Sequence, residues 1–332
     1  MMNVPTTLTQ RRQIQARIAP ALVPPPFRVV AGVDWSGDSL AGVRQIVSLY
    51  APDELVLVHS VRSSAVESRM RDEPARARFR GYGEHRQQES ITTARRSLTW
   101  VSALIQKKIA STREVCDIGA PDGVLLDQAR RVGAALIVVG QRGDRKNVDC
   151  TMGSVSHRIC LNADCSTLVV RNPQRAPGRV LALVQQGEDV VALQRWLRAY
   201  PFKEATDLTV LCLMSRPQRG EPIGPLSVRF WKDAAVHNAR SLLDPMVRDL
   251  EGPLLRVTGR AVRDDPSTLI LQEASKFDLV VLHGSDRKGR DHGRSGLPWR
   301  ALLRLVPCST LVIRTPGSAS SSSKEGNGQI WD

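Results

Sequence analysis

A seven-residue run occurs twice in this chain, as Cys165-Ser-Thr-Leu-Val-Val-Arg171 and, 143 residues later, as Cys308-Ser-Thr-Leu-Val-Ile-Arg314. The same offset aligns ALIVV (135–139) with DLVVL (278–282) and Gly153 with Gly296. Self-similarity at a fixed long period means one folding unit used twice. The length agrees, because 332 residues at roughly 100–200 per domain suggest two domains. The expected organisation is an N-terminal arm (1–26) containing Pro24–Pro26, a first domain (27–171), a Pro/Gly-containing join (172–178, NPQRAPG), a second domain (179–314) and a tail (315–332). The arm reads as flexible, and the Ser/Gly run of the tail reads as disordered.

Within the first copy, strand and helix patterns alternate. RVVAGV (28–33) is a continuous apolar run ending at Asp34, as expected of a parallel strand buried on both faces. A helical spacing follows over 38–50, then a strand (54–60), a long helical pattern (84–111), and a strand (114–119). A helix capped by Asp122 runs to about Val132, followed by a strand (135–140), a glycine-bearing loop, a helix (153–162) and a closing strand (166–171). The second copy offers strands at 179–184, 207–213, 254–261, 278–282 and 309–314. The highly charged piece 62–83 has no clear period and reads as a mobile excursion. Strands alternating with helices predict an α/β fold: two tandem copies of a five-stranded, doubly wound parallel-sheet domain with right-handed crossovers.

Composition removes several alternatives. No stretch reaches the roughly 18–20 apolar residues of a membrane helix, and the segment IAPALVPPP is too short and proline-broken for a signal peptide. A cytoplasmic location is the expectation. The net charge of +14 invites a nucleic-acid reading, but it divides as +3, +5, +7 and −1 over arm, first copy, residues 172–314 and tail, with no block of like charges. The six cysteines include no C-x-x-C pair. His157, Cys160 and Cys165 are the one cluster suggesting a metal, and their helical and strand positions favour buried small hydrophobes instead.

The chemistry gathers at the carboxyl ends of the strands, where open parallel sheets bind ligands. The loop after the fourth strand carries Gly140, Gly143 and Gly153, then Ser154, Val155 and Ser156 opening a helix. Glycines permit close backbone approach, and a helix N-terminus with free N–H groups favours an anion, to which the hydroxyls of Ser154 and Ser156 could add donors. Asp34 and Ser36, at the end of the first strand, are expected to lie across the crevice from this loop. A helix cap is the competing role for Asp34 and for Ser154.

The spacing G-x2-G-x9-G-[ST] over Gly140, Gly143, Gly153 and Ser154 resembles the ATP-binding signature of the universal stress protein family. Val33-Asp34-Trp35-Ser36, Val58-His59-Ser60, Gly119-Ala-Pro121 and the closing C-S-T-L-V-V-R resemble the family's V-D-x-S, L-H-V, G-x-P and final strand. The chain thus looks like a tandem universal stress protein with an ATP-binding first domain. The resemblance implies adenine near Val33, Asp34 and the backbone at Ser60, ribose near Gly140, and phosphates among Gly143, Gly153, Ser154 and Val155. A divalent ion such as Mg is implied with ATP, because Asp144 and Asp149 partly offset Arg142, Arg145 and Lys146. It further implies a stress-response or signalling role, slow or no hydrolysis, and a second copy serving as a built-in dimer partner, with homodimers of the chain also open.

The second copy departs from this pattern. Its equivalents of Gly140, Gly143 and Asp34 are His283, Asp286 and Gln185, and Gly296 is followed by Leu297-Pro298. A carboxylate at a phosphate position and a proline without N–H both oppose anion binding. Gly284 and Gly289 offer neither the spacing nor a following serine. No Walker lysine, G-x-S-x-G elbow or H-E-x-x-H is present. His59 as a general base and Cys150 as a redox thiol are the weaker suggestions. The alternative to nucleotide binding is a nucleotide-independent scaffold whose basic surface meets protein or nucleic acid.

Overall fold

The computed structural model describes residues 25–61, 73–143, 152–171, 178–213, 225–262, 270, 272–284, 300, 303–304 and 306–315. The first half comprises β1 (Arg28–Gly32), α1 (Gly37–Leu49), β2 (Glu54–Val61), α2 (Glu73–Ile105), β3 (Thr112–Ile118), α3 (Pro121–Val132), β4 (Leu136–Gly140), α4 (Ser154–Asn162) and β5 (Ser166–Val170). The second comprises β6 (Arg179–Val184), α5 (Gly187–Ala199), β7 (Thr206–Leu213), α6 (Pro225–Leu250), β8 (Leu255–Val262), β9 (Leu279–His283) and β10 (Ser309–Ile313). All ten strands pair in one sheet of order β3-β2-β1-β4-β5-β10-β9-β6-β7-β8, so each half has the same doubly wound order.

Both faces of the inner strands are buried, which is why β1, β4, β5, β6, β9 and β10 read as apolar runs, while the edge strands β3 and β8 are largely exposed. Val29 and Ala31 join the cluster formed with α1, α2, α5 and α6, whereas Val30 joins the opposite cluster with α3 and α4. Pairing within each half is parallel; Val30, for example, stands opposite Val56 on β2 and Ile137 on β4.

Two local expectations are corrected. Residues 73–83 belong to α2 rather than to an excursion, so the helix expected over 84–111 instead runs from Glu73 to Ile105. Asp122 does not cap α3. Ala120 is the cap, Pro121 supplies the first helical position, and Asp122 lies in the first turn, where it pairs with Arg158 at 3.2 Å. A proline at the first position needs no N–H acceptor, which explains the boundary. The arm to residue 24, residues 62–72, 144–151, 172–177, the loop containing Asp286, Gly289, Gly296, Leu297 and Pro298, and the tail from 316 lie outside the described residues.

The duplicated heptapeptide is the seam between the halves. β5 and β10 run antiparallel, with Leu168 opposite Leu311. The N–H of Arg171 donates to Ser309 Oγ (3.2 Å), and the N–H of Arg314 donates to Ser166 Oγ (3.0 Å). Each arginine then crosses to the other half. Arg314 donates through Nη2 to the Cys160 carbonyl in the last turn of α4 (2.8 Å), and Arg171 through Nη2 to the carbonyl of helical Leu303 (3.3 Å). A cation meeting helix-terminal carbonyls is favourable in charge and in hydrogen bonding. Burial pulls the Arg171 guanidinium below its ordinary pKa.

A second junction is aromatic. Phe27, Tyr50, Trp196, Tyr200 and Phe202 form one cluster across the halves, with Phe27 stacked on Tyr200 at 4.2 Å and Trp196 Nε1 donating to the Tyr50 hydroxyl at 3.1 Å. Tyr50 and Tyr200 close α1 and α5 as their C-caps, so the ends of both helices contribute to the cluster. Burial raises the Tyr50 hydroxyl pKa far above its ordinary value.

Candidate functional site

β1 delivers Val33 and Asp34 to the carboxyl edge of the sheet, and a tight turn carries the chain into α1. Asp34 Oδ1 accepts from the Ser36 N–H (3.1 Å) and hydroxyl, closing the turn. Ser36 Oγ in turn accepts from the Ser39 N–H (3.2 Å) and is the N-cap of α1. The cap is therefore Ser36, and Asp34 orients it. Between them Trp35 holds φ at +67°, a left-handed conformation costing a non-glycine residue roughly 1–2 kcal/mol. Its ring lies 5.5 Å from that of His59, whose Nδ1 donates to the Val33 carbonyl at 2.6 Å. His59 is thus a tied strand residue, with only Nε2 left for other partners.

The glycine loop comes up against this turn. A Cβ on Gly143 would lie 2.7 Å from Asp34 Oδ2, so a side chain there would displace the carboxylate. The Arg142 N–H donates to Asp38 Oδ2 (3.2 Å), with the Arg142 carbonyl 3.3 Å from Ser36 Oγ. Asp34, Ser36 and the loop are thereby brought together as expected.

Gly140 has a packing reason for being glycine. A Cβ there would stand 2.7 Å from Ser39 N and 2.8 Å from the Asp38 carbonyl carbon. These are main-chain atoms and cannot rotate away. Gly140→Ala is expected to destabilise the protein by about 1–3 kcal/mol through overpacking, displacing the first turn of α1 and with it Ser36. Urea unfolding of the variant checks this, and an unchanged midpoint would contradict it.

The loop returns at Gly153, whose N–H donates to the Gln141 carbonyl (2.8 Å). Gly153 is the N-cap of α4 and supplies no side-chain acceptor. The first helical bond is His157 N–H to the Gly153 carbonyl. The N–H groups of Ser154, Val155 and Ser156 therefore have no acceptor among the described residues, the usual condition of an uncapped helix start. Ser154 is exposed and Val155 half-buried. Ser156 departs from expectation: its buried hydroxyl donates to the Gly140 carbonyl (2.6 Å), so it braces the loop rather than offering a donor to the crevice. Ser60, at the end of β2, donates its hydroxyl to the Gly119 carbonyl (2.7 Å), leaving only its main chain for the role sequence implied.

Asp144, Arg145, Lys146, Asp149 and Cys150 lie outside the described residues. Burial pushes the Cys160 thiol up to about 12, the behaviour of a core hydrophobe and not of a thiolate ligand. Among the described residues no group of three potential metal ligands occurs.

The second half builds the corresponding corner differently. His283, at the end of β9, donates through Nδ1 to Asp189 Oδ1 (2.8 Å). Asp189 Oδ2 accepts from the N–H groups of Gln185 (2.8 Å) and Gln186 (3.0 Å) at the start of α5. An imidazole and a carboxylate thus fill the space that Gly140 leaves to the main chain in the first half. The sequence marked His283 as a departure; its partner, Asp189, was not evident, because only the fold brings the two strand-end corners to the same helix start.

The family model described as "Universal stress protein family" matches residues 27–171. Residues 27–171 belong to the universal stress protein family. Universal stress protein A homolog 2 of Coxiella burnetii (strain RSA 493 / Nine Mile phase I) is 33% identical over 66 residues, 20% of this chain and 44% of that protein. Universal stress protein YxiE of Bacillus subtilis (strain 168) is 40% identical over 53 residues, 16% of this chain and 36% of that protein. The aligned stretches thus span less than half of either relative. A universal stress protein from Archaeoglobus fulgidus DSM 4304 superposes with a TM-score of 0.55 at 12% identity, covering 86% of this chain and 96% of that one. At that identity the likeness concerns fold alone, and it extends the universal stress protein architecture over both halves. Among the described residues no helix is long and apolar enough to cross a membrane.

Proposed function

We propose that this universal stress protein binds one adenine nucleotide per chain, ATP, in the crevice of its first half, and acts in stress response or signalling through its bound state. The observation that carries the reading is the uncapped start of α4, at the end of a glycine-bearing loop whose Gly143 is pressed against Asp34. Such a helix start suits a phosphate, since partial positive charge and donors converge there without a competing side chain. Gly143, Gly153, Ser154 and Val155 would hold the phosphates, and Val33, Asp34 and the main chain at Ser60 would face the base. Gly140 and Ser36 would keep the two walls in register. A divalent ion bound with ATP would offset triphosphate charge. Hydrolysis is expected to be slow or absent: among the described residues His59 is tied through Nδ1 to the Val33 carbonyl, and the sequence carries no Walker lysine. In the second half the His283–Asp189 pair occupies the corner, which supports a single site.

Isothermal titration of the full chain with ATP and magnesium tests this. One site per chain is expected. Two equal sites would overturn the asymmetry, and no heat of binding, with no adenine nucleotide released on denaturing the purified protein, would overturn the reading and favour a nucleotide-independent scaffold.

A further inference from the structure

A cavity lies away from the crevice, at the amino-terminal edge of β1, β4 and β5, where the halves meet. It has a volume of about 690 Å³, within the roughly 300–1,000 Å³ range of small-molecule sites. One wall comes from Leu126 and Ala129 of α3 with Ile137 of β4, and the other from Ala192, Trp196 and Ala199 of α5. The lining is largely apolar, so a polar solute would lose hydration there without replacing it.

The charges at its margin are unequal. Arg130 is committed to Asp164 (3.0 Å) and Asp127 (2.8 Å), and Arg314 to the Cys160 and Gly284 carbonyls. Arg195 is exposed on α5 and has no carboxylate partner among the described residues. One uncommitted cation therefore stands beside an apolar cleft. Polyanions are disfavoured, because α3 and α5 both bring their carboxyl ends here, at Gly133 and Tyr200, and add negative dipole ends to Asp164.

From this juxtaposition we infer a second binding site, for a single-chain amphiphile with a monoanionic head, of the fatty-carboxylate class. The chain lies between α3 and α5, and the carboxylate pairs with Arg195. The site joins elements of both halves, so it exists only when the seam is formed, and it is independent of the nucleotide reading.

Isothermal titration of the full-length protein with dodecanoate, below its micelle concentration, tests the inference. One equivalent is expected to bind, and dodecyltrimethylammonium, of equal chain length and opposite charge, to bind about tenfold more weakly. Arg195→Glu, a surface change, is expected to weaken dodecanoate about tenfold and to favour the cationic amphiphile. Ala199→Trp, which fills the cleft, is expected to abolish binding of both while circular dichroism and the ATP titration stay unchanged. No dodecanoate binding, equal binding of the two head groups, or dodecanoate binding that survives Ala199→Trp would each overturn the proposal.

Discussion

Trp196→Ala is expected to destabilise the protein by about 3–5 kcal/mol, the cost of removing a large aromatic side chain from a packed interior. Trp196 is 6% exposed and touches Tyr200 and Phe27 edge-on, with ring centroids at 4.7 and 6.2 Å. Its Nε1–H is the partner of the Tyr50 hydroxyl, which is 1% exposed and would lose that donor. The cluster contains five of the chain's 14 aromatic residues, so little other aromatic mass is available to close the gap. Because Trp196 belongs to α5 and Tyr50 to the end of α1, the loss falls on the junction of the halves. Calorimetry of the variant should therefore show the whole transition lowered, or split in two. Trp196→Phe keeps most of the packing and loses the donor, for an expected cost of about 1–3 kcal/mol. Urea midpoints unchanged in Trp196→Ala would show that the cluster does not couple the halves.

Gly153→Asp is expected to weaken ATP binding by at least ~100-fold, about 2.7 kcal/mol, with little change in stability. Gly153 has φ −67° and ψ 151°, which any residue adopts, so the main chain needs no glycine here. A Cβ would stand 3.0 Å from the Gln141 carbonyl oxygen, a tight contact. Against that, aspartate is a preferred N-cap, and its carboxylate would accept from the N–H groups of Val155 or Ser156, contributing roughly 0.5–2 kcal/mol. The substitution therefore supplies α4 with its own anion, in the place proposed for phosphate. Gly153→Ala introduces the same Cβ without charge and should lose much less affinity. ATP affinity preserved in Gly153→Asp would exclude α4 as the phosphate end; equal losses in both variants would assign the effect to the Cβ contact.

Much of this molecule was legible as one-dimensional pattern. Runs rich in Val, Ile and Leu marked the inner strands because both sheet faces are buried there, whereas the edge strands β3 and β8 are largely exposed and mix charged and polar residues into their runs. The glycine spacing marked the loop because main-chain atoms crowd the Cβ position of Gly140 and the Asp34 carboxylate that of Gly143. Helix starts were less legible. Asp122 looked like a cap, yet the cap is Ala120, two residues earlier, and Asp122 serves a pair with Arg158 that no local rule exposes. The segment 73–83 lacks apolar period, so nothing local revealed its continuation into α2.

By itself the sequence determined that one α/β unit is used twice, and that only the first copy carries the G-x2-G-x9-G-S spacing. Both follow from period and spacing, properties of neighbours along the chain. Only the tertiary structure decided what the repeated heptapeptide does. Ser166 and Arg171 satisfy groups of the second half, and Ser309 and Arg314 those of the first, across 132 to 154 residues of chain. It also decided that Ser156 braces the loop, that Asp189 closes the second corner, and that Trp196 meets Tyr50. Such contacts depend on where distant residues stand when an antiparallel seam is formed, and a hydrogen bond constrains distance in space without leaving a period in sequence.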